Sequence, residues 1–231
     1  MLGTSFNLLG FIFSLVALIV AIDIHEFSHA WAAEHLGDPT PRLQGRLTLN
    51  PLSHLDPIGT IMMILVHFGW GKPVQFDPFN LRNPRRDSAL ISLAGPTSNM
   101  LVAVICALLF RIPMPSVLSY LLFAIIQMNV VLGIFNLIPV HPLDGFKIVE
   151  GILPEEQAHE WHGLERYGMI FLIFLLFPIF GGVAPIQRVI SPIINFILNN
   201  PIIPIFYKSF LNLIVMVIYK KNWNFYFFLL F

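Results

Sequence analysis

Long apolar runs separated by short polar stretches dominate the chain. A membrane-spanning helix needs about 20 mostly apolar residues. Runs from Asn7 to Ala33, Ser88 to Phe110 and Val117 to Ile138 meet that length. A fourth run starts at Tyr167 and reaches Phe180 or a little beyond, and a last one covers roughly Ile202 to Tyr219. Ile58–Trp70 and Val189–Leu198 are shorter, in the range of re-entrant or interfacial segments. The pattern predicts an all-α membrane protein, a polytopic bundle of about five or six transmembrane helices forming a single domain over residues 1–231.

The first run is expected to be a retained helix and not a signal peptide. Its head, MLGTSFN, has no Lys or Arg, and the run leads directly into the HEFSH motif. Composition agrees with a lipid solvent. The chain is 56% hydrophobic and 11% charged, where soluble domains run near 45–50% and about 25%. A formal net charge of zero gives no reason to expect a nucleic-acid partner. The single cysteine, Cys106, excludes an internal disulfide.

Basic residues set an expected orientation. Arg42 and Arg46 follow the first run, and Lys72, Arg82, Arg85 and Arg86 precede the second. Lys147 and Arg166 follow the third, and Lys220 and Lys221 follow the last. If Ile58–Trp70 enters and leaves on one side, all four groups share the cytoplasmic face. If it crosses, two of them sit on opposite faces, so the first arrangement is favoured. HEFSH then lies at the inner end of the first span, at the same depth as Asp144, just past the inner end of the third.

HEFSH fits H-E-x-x-H. On a helix, His25 and His29 at i and i+4 share a face and can hold one metal, with Glu26 beside them to take a proton from bound water. A solvated helix end is the plainer alternative. Against it stands the cost of crowding Asp23, His25, Glu26 and His29 near the end of an apolar helix. A catalytic zinc wants three protein ligands. Asp144, in NLIPVHPLDGF, is the candidate third, and a simple Asp-Gly turn is its alternative reading.

Five motifs in order carry a resemblance: HEFSHAW, RLTLNPLSHLDPIGT, GKPV with NLRNPRRD, LAGPTSN, and FNLIPVHPLDG. Together they resemble the site-2 protease family of intramembrane zinc metalloproteases, in particular its small branch without PDZ or CBS domains. The similarity covers about Asp23 to Gly151. It implies a three-helix catalytic core within residues 7–151, to which the apolar runs at about 167–219 add further helices. It implies one Zn2+ per chain on His25, His29 and Asp144, with Glu26 as general base. Asn136 would hold the substrate carbonyl or its oxyanion. Asn99 is placed with the substrate-binding and site-supporting residues, a helix-packing role being its alternative. The family often continues DGG or DGGR after the aspartate; here Gly145 is followed by Phe146 and Lys147. His141 is expected in a plain loop, and His54 is not assigned as a ligand.

The implied partners are a membrane-spanning protein or peptide substrate and the lipid bilayer. The implied location is the cell membrane, multi-pass, with the site near the cytoplasmic side. Helical substrates shield their backbone amides, so the scissile stretch must become extended. In GKPVQF, Val74 and Phe76 alternate with Gln75 at strand period. Lys72–Phe76 is therefore expected to form a short β edge, with Val74 binding substrate by strand addition; an ordinary loop is the alternative. Two other functions stay open. An inactive binding module of the same fold is disfavoured by the retained Glu26. A metal transporter would repeat polar residues along several spans, whereas Ser92, Thr97, Ser98, Asn99, Gln127 and Asn129 suggest one site.

Overall fold

The computed structural model describes residues 8–66, 70–178 and 182–199. Among them every regular element is helical. The elements are α1 (Leu8–Leu36), α2 (Thr40–Leu43), α3 (Pro51–His54), α4 (Pro57–Val66), α5 (Pro84–Leu109), α6 (Ser116–Asn136), α7 (Asp144–Ile152), α8 (Glu155–His162), α9 (Glu165–Leu176) and α10 (Pro185–Asn199). This is an all-α membrane protein, as its hydropathy predicts. Three described helices, α1, α5 and α6, are long and apolar enough to cross a membrane.

These three pack on one another, α5 lies against both neighbours, and α1 also touches α6. Helices in lipid gain little from hydrophobic burial and associate through close packing of small side chains. Ala17, Ala21, Ala30 and Ala33 on α1 and Ala103 and Ala107 on α5 are all buried. Ala17, Leu18 and Ala21 meet Met128 of α6. A larger cluster joins Ala103, Ala107, Ile126 and Val130 to Ile186, Ile190 and Ile194 of α10. The α7 helix lies across α5. At the start of α5, Pro84 occupies the first turn, where a missing N–H costs nothing, and the Asn83 N–H donates to Asp87 at 2.9 Å.

The segment expected to dip without crossing has both ends in one place. Leu55 and Gly71 form an antiparallel bridge, and the Lys72 N–H donates to the His54 carbonyl at 2.7 Å. A segment whose ends are paired with each other cannot deliver them to opposite faces. Its helix, α4, is 10 residues long, about 15 Å at 1.5 Å per residue, half of a hydrocarbon core of about 30 Å. The fourth expected span is a 12-residue helix, α9, closed by an extended Phe177 before Pro178. At about 18 Å it is too short to cross alone. Val189–Leu198 falls within the 15-residue α10. The run at 202–219 lies outside the described residues.

The expected β edge is reduced to that single bridge. Residues 71–77 form a strap beside α1, without a ladder among the described residues. Pro73 has no donor, and the N–H of Val74 goes to a side chain instead of a strand.

Candidate metal centre

The two histidines of α1 are buried and converge on one point. His29 Nδ1 lies 2.7 Å from the carbonyl of Ile91, in α5. A carbonyl only accepts, so this nitrogen carries the hydrogen and Nε2 presents a lone pair. His25 Nδ1 lies 2.7 Å from Asn99 Oδ1. The Asn99 amide nitrogen donates to the Ala21 carbonyl at 3.0 Å and to Asn129 Oδ1 at 2.9 Å, and these bonds settle which end of the carboxamide faces His25. Asn129 in turn donates to the Ile125 carbonyl at 2.8 Å. Asn99 and Asn129 are fully buried. A polar chain thus crosses all three core helices and leaves the His25 Nε2 lone pair facing that of His29.

Asp144, the first residue of α7, supplies the third group. Its position depends on Gly145, where a Cβ would come within 2.3 Å of the Leu137 carbonyl oxygen and 2.4 Å of that of Ile138. Only glycine lets the turn after α6 close this tightly. Gly95 of α5 sits under the two imidazoles: a Cβ there would lie 2.5 Å from His29 Nε2 and 2.6 Å from His25 Cε1.

His25 Nε2 and His29 Nε2 are 3.0 Å apart, and Asp144 Oδ2 lies 3.1 and 3.3 Å from them. Two lone pairs and a carboxylate converging in a buried space repel unless a cation sits among them. Tetrahedral zinc with bonds of about 2.0–2.1 Å places its ligand atoms about 3.3 Å apart. The donor set and its spacing fit a zinc ion, and the trio leaves a fourth position open.

Comparison with known proteins agrees. A profile of Peptidase family M50 matches residues 112–178. The candidate zinc metalloprotease YwhC of Bacillus subtilis (strain 168) is 40% identical over 176 residues, covering 71% of this chain and 80% of YwhC. The chain belongs to peptidase family M50, the site-2 protease family. A candidate zinc metalloprotease of Mycobacterium tuberculosis H37Rv, Rip2, is 29% identical over 176 residues, 71% of this chain and 66% of Rip2. No solved structure matches the chain. Membership makes zinc the ion and a peptidase the enzyme class of this M50 chain.

Glu26 does not join the trio. Its Oε2 accepts from the backbone N–H of Val74, on the strap, at 2.8 Å. Val74 therefore stands beside the expected base. Asn136, at the end of α6, donates one amide hydrogen to Leu132 O at 3.1 Å, back along its own helix. Asn99 touches His25 directly.

The strap is anchored on both sides of Val74. Arg46, buried in the loop after α1, donates to the Lys72 carbonyl. At the far end the Asp77 N–H donates to Asp38 Oδ2 at 2.7 Å. Burial pushes the Asp38 carboxyl upward, but hydrogen bonds from Thr40, Asn80 and Asp77 outweigh it and hold the group below the usual carboxylate range. His54 is buried, with Nε2 2.8 Å from the Thr48 carbonyl, and serves the loop and not the metal. His141 faces Glu165 at 3.6 Å, away from the ligands.

Phe146 and Lys147, the departures from the family pattern, leave the turn intact. Phe146 is buried and stacks on Trp161 at 5.3 Å. Lys147 lies over the ring of Phe76, on the strap, at 4.3 Å. Both residues line a cleft of about 740 Å³ together with Phe76, Arg85, His141 and Glu165.

Sequence reasoning gave Gly95, Arg46 and Asp38 no role at the site, and it named Asn129 only among the polar residues of the spans. Gly95 lies inside the LAGPTSN motif, yet nothing in its own window shows that two imidazoles will stack on it. Arg46 reads from sequence only as a basic loop residue; burial and hydrogen bonds show that it and Asp38 hold the strap.

Proposed function

We propose that this M50 peptidase is an intramembrane metalloprotease that hydrolyses peptide bonds of membrane-spanning proteins or peptides, at the cytoplasmic side of a multi-pass cell-membrane bundle. The observation that carries the reading is the trio of acceptors, buried His25 and His29 on a spanning helix and half-buried Asp144 at the start of α7, with Glu26 at their side. Bound there, zinc supplies a Lewis acid for the scissile carbonyl and lowers the pKa of a water to about 7. Glu26 takes a proton from the attacking water and returns it to the leaving amine nitrogen as the C–N bond breaks. Asn136 turns from the Leu132 carbonyl to donate to the developing oxyanion.

The strap supports a mode of substrate entry. Val74 directs its N–H inward to Glu26, whereas Gln75 is exposed and its backbone N–H and C=O make no hydrogen bond among the described residues. An unfolded substrate segment adds along this outer edge, pairing with Gln75 and the Pro73 carbonyl, so that its own backbone is satisfied near lipid.

The test uses detergent-purified protein and a single-span peptide in proteoliposomes. Wild type should hold about one zinc per chain and cleave. Glu26→Gln should keep the zinc and lose hydrolysis by about 100-fold or more; His25→Ala and Asp144→Ala should lose both. Folded wild type that takes up no zinc, or Glu26→Gln cleaving at the wild-type rate, rejects the reading.

A further inference from the structure

We infer that Val74 is a positioning residue for the general base: its backbone N–H holds Glu26 in the orientation that receives the proton of the attacking water. The inference rests on reading Glu26 as that base and adds what aligns it.

Glu26 stands next to a ligand on a rigid helix, but a glutamate side chain has three rotatable bonds, and helix packing does not determine where its carboxylate points. Among the described residues its one hydrogen bond is the 2.8 Å contact from the Val74 N–H to Oε2. Tying one oxygen stops rotation about the last bond and leaves Oε1 free for water. A charge-assisted bond of this kind is stronger and shorter than a neutral one. The donor is also placed in advance. The strap is held upstream by the Leu55–Gly71 bridge, by Lys72 N–H to His54 O at 2.7 Å and by Arg46 on the Lys72 carbonyl. Downstream it is held by the Asp77 N–H on Asp38 at 2.7 Å.

Those anchors decide what the Val74 bond is for. Four residues lie between Lys72 and Asp77, and the strap is secured at both ends without help from Glu26. Glu26, by contrast, has no other hydrogen-bonding partner among the described residues. Removing the bond therefore disturbs the base more than the strap. The donor is a backbone group, so the role does not require valine. Inner and outer edges of the strap also divide the labour: the Val74 N–H serves the base, and the next peptide group, at Gln75, is free for substrate.

The experiment replaces the Val74 amide by an ester in the full-length, zinc-loaded protein, by incorporating the α-hydroxy analogue of valine. The side chain stays and one N–H goes. With the single-span peptide, kcat should fall about tenfold or more while KM changes less than twofold and zinc content is unchanged. Val74→Ala, which keeps the N–H, should lose much less of kcat than the ester variant does. If the ester protein does not fold, Val74→Pro in the same assay carries the same expectation. A zinc-loaded variant lacking the N–H with wild-type kcat overturns the proposal, as does a rise in KM with kcat unchanged, which would assign Val74 to the substrate edge. The base itself is tested separately: Glu26→Gln remains inactive if only the positioning role fails, and active Glu26→Gln shows that the reading beneath it has failed.

Discussion

The metal cradle and the strap beside it are built by opposite means. In the cradle, side chains from α1, α5 and α6 are buried and bonded to one another across helices, His25 to Asn99 to Asn129, and His29 to the Ile91 carbonyl. The strap exposes Lys72, Pro73 and Gln75 and is tied down by a few hydrogen bonds to loop and helix-end groups. Ligand geometry must not vary, so it is placed where close packing allows one arrangement. The strap must admit a substrate, and segments that bind or move are drawn from the less stable parts of a fold. Glu26 belongs to both regions: its backbone is in the rigid helix, and its carboxylate is held by the strap.

This contrast breaks most sharply at Gly95. A methyl group there would press to 2.5 Å from His29 Nε2. Gly95→Ala is expected to weaken zinc binding by more than about 100-fold and to abolish cleavage, because a packed interior has no room to yield. Metal content after dialysis against a mild chelator checks this; retained zinc would mean that the cradle gives way and the distinction between the regions is wrong. Next in size is Asn99→Leu. It removes the group that fixes the His25 ring, and losses of about 10- to 100-fold in zinc affinity follow when such partners are deleted. Competition against a fluorescent zinc chelator measures it, and unchanged affinity would reduce Asn99 to a packing residue.

On the strap the expected effects are smaller and leave the metal alone. Gln75→Pro deletes the outward N–H, a net loss of about 1 kcal/mol or roughly fivefold. It should appear as a higher KM for the single-span peptide with zinc content unchanged; an unchanged KM removes strand addition at Gln75. The least effect on chemistry is expected from Asp38→Asn, which turns an amide nitrogen toward the Asp77 N–H in place of Oδ2. Thermal unfolding in detergent should show a loss of about 1–3 kcal/mol at neutral pH. Because the folded-state pKa of Asp38 lies below its unfolded value near 3.9, its contribution is complete above that value and is lost as pH falls through the folded one. The difference between variant and wild type should therefore shrink in acid and stay constant above pH 5.

The three long apolar helices and the gathering of His25, His29 and Asp144 were legible because each leaves a local signature. Apolar length marked α1, α5 and α6, and the i, i+4 spacing put His25 and His29 on one face. Asp144 could be proposed from depth along the membrane, a coarse coordinate that suffices when both elements end at the same level. The fourth run appears among the described residues as a 12-residue helix, because apolar composition continues past Phe177, where the helix stops. The strand at 72–76 was overestimated because alternation of side chains does not reveal where backbone donors go. Val74 alternates like a strand residue, yet its N–H belongs to Glu26.

What the sequence determined by itself is therefore which helices are long and apolar enough to span a bilayer, which of them carries the histidines, and which chemistry those residue types allow. These follow from the periods and lengths of single segments, set by helix rise and bilayer thickness. Tertiary structure alone decided which imidazole nitrogens face each other and Asp144, why position 95 must lack a side chain, and what holds the carboxylate of Glu26. Each depends on a partner far along the chain, 74 residues away for His25 and Asn99 and 48 for Glu26 and Val74. A hydrogen bond is specified by the position and direction of both groups, and two such distant groups acquire a fixed relation only when the helices pack.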